Sequence, residues 1–247
     1  MLFLYTPLAI VVVNSINPDP LMTWPPSGLT GQWWSRAIDN QGARAALITS
    51  LQVACLATVV ALTLGTMIAF ALHRFEFFGK DTVNLLVILP IALPGIVTGI
   101  ALNNAFRGAG WQLSMWTVVI AHATFCIVTV FNNVIARLRR MGINLEEASA
   151  DLGAGPWTTF RLVTLPQLRS ALLAGGLLAF ALSFDEIIVT TFTAGAGTTT
   201  LPIWILNNLF RPNQAPVVAV IAVVLIVLSV LPIWIAQRIS RDGEGLH

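Results

Sequence analysis

Two carboxylates, Asp185 and Glu186, stand side by side in an otherwise apolar run, ALLAGGLLAFALSFDEIIVTTFTAG. An acid within a membrane-length segment costs about 2.5–3.5 kcal/mol on insertion scales, so it is expected to face a cavity or a partner. No arginine lies near mid-span to neutralise the pair. Uncompensated acids favour a cationic or amine-bearing solute, because carboxylates pair with protonated amines once water is shed. Ser183 and Thr190 flank them and complete a candidate substrate pathway. On one continuous helix the acids lie about 24 Å beyond Arg169, and adjacent side chains diverge by about 100°. One acid then lines the path while the other pairs within the bundle. The plainer alternative is a structural hydrogen-bonded group with His122, Thr190 or Asn132. His122, in IAHATFCIV, is expected to bond a neighbouring helix rather than relay protons. Asn132 and Asn133 are expected to do similar work, and Asn103 and Asn104 are weaker candidates.

Other chemistry is excluded by what the chain lacks. There is no phosphate-cradling GxxxxGK[ST] run, no GxSxG and no HExxH, and Lys80 is the only lysine. A membrane protease built on Ser183 and His122 would need a nucleophile turn, which FALSFDE does not resemble. Cys55 and Cys126 lie in apolar segments without ligand-like spacing, so neither a disulfide nor a metal site follows, and both are expected to be buried. A net charge of +2 gives no electrostatic case for nucleic acid. The expected chain is therefore non-catalytic, binds no cofactor or metal, and forms a pore whose energy arrives from elsewhere. A channel or a self-contained secondary carrier is the rival from a different class.

The elements that must position these residues are membrane spans. The 247 residues are 56% hydrophobic and 10% charged, with a mean hydropathy of +0.82, whereas soluble domains are about a quarter charged. Spans of about 20 apolar residues are expected at 45–72, 82–105, 112–136, 170–193 and 215–237. A shorter segment, 1–16, has no basic region and no small-residue cleavage site of a signal peptide, so it is read as a first span whose start is cut or mis-assigned. With a cytoplasmic N-terminus, nine of the thirteen basic residues fall inside and four outside, and both termini are cytoplasmic. Arg137, Arg139 and Arg140 anchor the internal loop that follows them. The segment 82–105 carries Pro90, Pro94, Gly95 and Gly99, which predict a broken or kinked helix, either as a gate or for close packing. The external loop 17–43 holds Trp24, Trp33 and Trp34, expected as interfacial anchors. The loop 194–216 predicts a short re-entrant or interfacial helix. The fold class is all-α: a polytopic bundle of six transmembrane helices forming one transmembrane domain over residues 1–247.

One long stretch is not membrane-like: NLEEASADLGAGPWTTFRLVTLP, Asn144 to Pro166. Asn144 with Glu147 three residues on forms a capping-box pattern, and Glu146 and Glu147 suit the first turn. Leu145, Ala148 and Leu152 share an apolar face. Gly153 and Gly155 end the helix, and Pro156 starts a second one that Pro166 is expected to stop. The pattern is a short helical hairpin that takes a mechanical signal from another protein.

At this point a resemblance becomes specific. Glu147-Ala148-Ser149, then Gly153, then Val163-Thr164-Leu165-Pro166 resembles the EAA loop of ABC importer permeases: Glu-Ala-Ala, three residues, Gly, nine residues, Ile, one residue, Leu-Pro. Ser149 and Val163 are mild departures. The runs LPIALPGIVTGIAL, HATFCIVTVFNNVIARLRR and ALSFDEIIVTTFTAG followed by LPIWI are similar to the spermidine/putrescine branch of these permeases. The resemblance implies a bacterial inner-membrane protein, type I importer-like, within a five-part machine. Its partners would be a dimer of ATP-binding subunits holding ATP and magnesium, a second permease in a heterodimer, an external solute-binding protein and the lipid bilayer. It further implies that Leu145, Glu146, Glu147, Ala148, Ser149, Asp151, Leu152, Gly153 and Ala154 couple to the ATPase. The solute implied is a polyamine moved by alternating access, although relatives handle other solutes. Arg161 and the second short helix would transmit the motion.

Overall fold

A computed structural model describes residues 2–142 and 144–228. Among them the regular secondary structure is all helical, without strands. In order, the helices are α1 (Leu2–Asn14), α2 (Gln32–Asp39), α3 (Gln41–Arg74), α4 (Lys80–Ala92), α5 (Gly95–Gly108) and α6 (Met115–Arg140). There follow α7 (Asn144–Asp151), α8 (Pro156–Thr159), a π-helical turn (Phe160–Thr164), α9 (Leu165–Phe184), α10 (Ile188–Thr193) and α11 (Leu201–Asn208). The last described helix is α12 (Ala215–Leu228).

Each of the six apolar segments contains a helix, but not all are straight spans. Gln41–Arg74, Met115–Arg140 and the continuous rod Pro156–Phe184 are long and apolar enough to cross a membrane. α4 and α5 pass that test only together, and they bend by 110° at their junction. α1 and α12 are shorter. The rest of the expected span 215–237, with Arg238, Arg241 and the C-terminus, lies outside the described residues.

The chain falls into two compact units, one from residues up to 49 together with those from 199 onward, the other Ser50–Thr198. In the first, Trp33 is a core residue and not the interfacial anchor expected. Its indole Nε1 donates to the Asn17 carbonyl at 2.7 Å, a partner that a buried ring requires. Asn17 is itself buried and donates to the Thr23 carbonyl. Asp19 accepts from the Thr23 hydroxyl and the Leu21 amide, which hold its carboxyl below the usual range. α11 is the short helix expected in 194–216, and Gly42 leaves room for its Trp204: a Cβ there would lie 2.9 Å from the indole nitrogen.

The second unit holds the functional residues. Its core joins α3, α6 and α9 through Ala61, Ala69, Leu72, Cys126, Val130, Phe131, Val134, Leu138, Leu168 and Ala179. Glycines set the separations, as small residues do where membrane helices approach closely. A Cβ on Gly65 would lie 2.9 Å from the Ile127 carbonyl oxygen, and one on Gly175 3.3 Å from the Val130 Cα. Cys126 is buried and donates to the Ala179 carbonyl. Cys55, expected buried, is exposed on α3; apolar side chains on an outward helix face are normal where lipid is the solvent.

Candidate functional site

Two helix breaks lie against each other. The first is at Leu93-Pro94, not at Pro90, which stays inside α4. Leu93 is extended, with ψ 142°, as a residue preceding proline prefers. The second falls at Asp185–Ile187 and corrects the expectation of a continuous helix over 170–193. The physical reason is local. The Glu186 carboxylate accepts the Val189 amide at 2.9 Å, giving the backbone an alternative to the helical ladder. The β-branched run Ile187-Ile188-Val189-Thr190-Thr191 further lowers helix propensity there.

Beyond their breaks, α5 and α10 pack as a pair. Gly95 faces Ile188, and a Cβ on Gly99 would come within 2.7 Å of the Phe192 ring. Asn103 donates to the Phe192 carbonyl. His122, fully buried on α6, bridges the second break. Its Nδ1 lies 2.8 Å from the Ser183 Oγ on α9, and its Nε2 2.8 Å from the Thr190 Oγ1 on α10. The Thr190 hydroxyl also lies 2.9 Å from the Glu186 carbonyl; when it donates there, it accepts from Nε2–H of His122.

The four residues expected to line a substrate pathway therefore divide. Ser183 and Thr190 are buried and committed to His122. Glu186 is half-buried and caps its own backbone, while Asp185 is exposed at the end of α9. Asp185 is the residue that caps the C-terminus of α9, where the negative pole of the helix dipole lies. Asn132 is exposed, and Asn133 bonds the Thr129 carbonyl of its own helix, so neither bridges to a neighbour in the way expected.

The second candidate is the hairpin at Asn144–Thr164. Asn144 is already the first helical residue, one place inside the cap position expected of it. Gly153 adopts φ +80°, and its amide donates to Ala150 while that of Ala154 donates to Ser149. This Schellman pattern ends α7 and needs a residue free to be left-handed. Pro156 opens α8, but Pro166 does not stop it. The chain winds through the π turn, where the Leu165 amide reaches the Phe160 carbonyl, and continues into α9. The wider turn accommodates a proline that has no amide to donate and whose ring would clash with the carbonyl four residues back.

The hairpin has an inner and an outer face. Inward, both Glu146 oxygens lie 2.7 Å from Arg74 Nη2, and Oε1 also accepts from the buried Thr164 hydroxyl at 2.6 Å. Ser149 and Thr159 pair at 2.9 Å. Outward stand Leu145, Glu147, Ala148, Asp151 and Gly153, with Leu152 88% and Trp157 71% exposed. A patch of large apolar side chains around a carboxylate is unusual on a free polar loop and suits a docking surface.

The family model for "Binding-protein-dependent transport system inner membrane component" matches residues 61–242. The chain belongs to this family. It is 34% identical to the spermidine/putrescine transport system permease protein PotC of Shigella flexneri, over 98% of this chain and 92% of that protein. It is 35% identical to the putrescine transport system permease protein PotI of Escherichia coli K12, over 83% and 75%. The fold matches that of a chain in a bacterial ABC transporter involved in the import of the acidic polysaccharide alginate, with a TM-score of 0.73 at 15% identity, covering 98% and 91%. The chain is thus an inner-membrane permease subunit of an ABC importer with a type I importer-like helical bundle.

Sequence reasoning missed three residues of this permease that the structure makes prominent. Arg74 was counted only as a topology charge, Thr164 only as a loop spacer, and Phe192 not at all. Their partners are 72, 18 and 89 residues away. The available signal was the lone Arg74 at the end of an apolar span, opposite a hairpin rich in glutamate.

Proposed function

We propose that this permease forms half of the translocation pathway for a polyamine of the spermidine/putrescine class and works by alternating access. It pairs with a second, different permease, receives solute from an external binding protein and is driven by a dimer of ATP-binding subunits that hold ATP and magnesium. The chain itself is non-catalytic, and its termini and the hairpin 144–166 face the cytoplasm, in accord with the arginine distribution. Leu145, Glu147, Ala148, Asp151, Leu152, Gly153 and Ala154 form the surface that meets the ATPase, while Glu146 and Ser149 fasten it from behind.

The observation that carries the cationic solute is Asp185. It is an exposed carboxylate where the rod Pro156–Phe184 ends, next to the dipole's negative pole, in a stretch of sequence with no lysine or arginine between Arg169 and Arg211. A protonated amine is the group that such a site attracts. The permeases named above transport spermidine and putrescine, which agrees with that chemistry. The α5–α10 pair, hinged at Leu93-Pro94 and at Asp185–Ile187, serves as the gate, with Pro94, Gly95 and Gly99 as its working residues.

The test is ATP-dependent uptake of labelled putrescine and spermidine by the complete complex in proteoliposomes. Asp185→Asn is expected to depress uptake at least tenfold, or about 1.4 kcal/mol, with assembly intact. Equal uptake by the variant, or dissociation of its complex, would remove Asp185 from the pathway. Uptake without ATP would make the protein a channel or carrier instead.

A further inference from the structure

Glu146 is the point at which three elements meet. It belongs to α7, its carboxylate pairs with Arg74 at the last residue of α3, and the same carboxylate takes the hydroxyl proton of Thr164 at the end of the π turn. Arg74 is held in turn by a cation–π contact: its guanidinium carbon lies 5.5 Å from the Phe70 ring centroid. Phe70 meets Phe160 edge-on at 5.7 Å, and Phe160 stacks on the exposed Trp157 at 5.7 Å. The next residue, Glu147, turns outward and is exposed.

We infer that Arg74 is a positioning residue for energy coupling. Through Glu146 it latches the coupling helix α7 to α3 and to the π turn, so that one push on α7 moves two spans together. The inference rests on the hairpin being the ATPase contact, and it adds a route the EAA pattern does not contain. Two properties support a latch over a general stabilising pair. Glu146 is spent wholly on internal partners, although it lies beside the docking face. The π turn it bonds is a looser stretch of helix, which is found where helices must adjust. A guanidinium stays charged and can be attracted to an aromatic face while it donates, so one nitrogen, Nη2, holds both carboxylate oxygens while Cζ stays beside the Phe70 ring.

The experiment uses the complete importer in proteoliposomes and measures solute moved per ATP hydrolysed, together with cross-linking of Leu152→Cys to the ATPase subunit. Arg74→Ala is expected to leave complex formation and the cross-link in place, and to lower solute moved per ATP by about five- to tenfold, the scale of a partly exposed ion pair with its hydrogen bonds. The exchanged pair, Arg74→Glu with Glu146→Arg, is expected to recover most of that ratio. An unchanged ratio in Arg74→Ala overturns the inference. So does loss of assembly in both Arg74→Ala and the exchanged pair, since the contact then serves folding alone. If Leu152→Cys never cross-links in the unaltered protein, the hairpin reading fails first, and the latch falls with it for a different reason.

Discussion

His122 offers the sharpest test of the hinge at Asp185–Ile187. The ring is fully buried and joins Ser183 on one side of the break to Thr190 on the other, each at 2.8 Å. Replacing it with alanine deletes both bonds and leaves a void. In membrane proteins an interhelical hydrogen bond averages about 0.6 kcal/mol, with a maximum near about 1.7. Truncating a large buried side chain adds about 2 kcal/mol even at the mild end of the range. His122→Ala should therefore cost about 3 kcal/mol locally, or about a hundredfold in the opening equilibrium of α10. The assay is amide hydrogen exchange of the assembled complex, read on the peptide containing residues 187–194. Its amides Thr191 and Ala194 donate to Ile187 and Thr190 and report the opening directly. His122→Gln, which retains one donor and one acceptor, should recover part of the protection. Exchange that rises less than about threefold in His122→Ala, or a glutamine variant no better than alanine, would refute the bridge, because neither agrees with two lost bonds of this size.

Further outcomes follow from backbone geometry, contacts and charge. Gly99→Val should lower the melting temperature in detergent by the equivalent of about 1–3 kcal/mol, because its Cβ meets Phe192 at 2.7 Å. Gly95→Ala should be tolerated, because its Cβ meets Ile188 at an ordinary 3.5 Å. Gly65→Ala should destabilise the α3–α6 contact more than Gly142→Ala affects anything, since the first Cβ meets a backbone oxygen at 2.9 Å and the second meets nothing within 4 Å; a denaturation series in mixed detergent compares them. Gly153→Asp, at φ +80° with open space around it, should cost about 1–2 kcal/mol of backbone strain in α7's ending; membrane insertion, read by immunoblot, should persist while ATP-driven uptake falls. Glu147→Lys should do the same by reversing the charge on the docking face.

The hairpin and the long apolar helices were legible because their signals are local. Cap, glycine and proline positions lie within a few residues of one another, and a span announces itself by length alone. The break at Asp185–Ile187 was not legible. An apolar run with two acids reads as one helix unless one knows that Glu186 turns its carboxylate back onto the Val189 amide. Pro166 misled in the opposite direction, since the rule that proline ends a helix assumes α geometry, and the π turn before it removes the clash. Trp33 was misplaced because an indole serves equally at an interface or in a core, and only its bond to the Asn17 carbonyl decides. Arg74 and Glu146 could not be paired from a list of charges, because chain separation carries no information about which charges meet.

The break and the missing stop together determine what the protein can transmit. The rod Pro156–Phe184 runs unbroken for 29 residues, about 43 Å at the helical rise, with the hairpin's Trp157 near one end and Asp185 just past the other. Had Pro166 ended the helix, the hairpin would have kept its tie to α3 through Glu146 and Arg74 but lost its continuous connection to α9. Had the helix continued through Glu186, α10 would have moved with the rod, and its ties to α5 and His122 would have opposed the motion. On the coupling reading, a displacement at Trp157 that the π turn does not take up passes along the rod and meets the break at Asp185–Ile187, where α10 is tied to α5 and to His122. The residues that take up the displacement are also those that expose the carboxylate. On the coupling reading, the surroundings of Asp185 thus change each time the hairpin is pushed, and a separate device to link the energy source to the solute site is unnecessary.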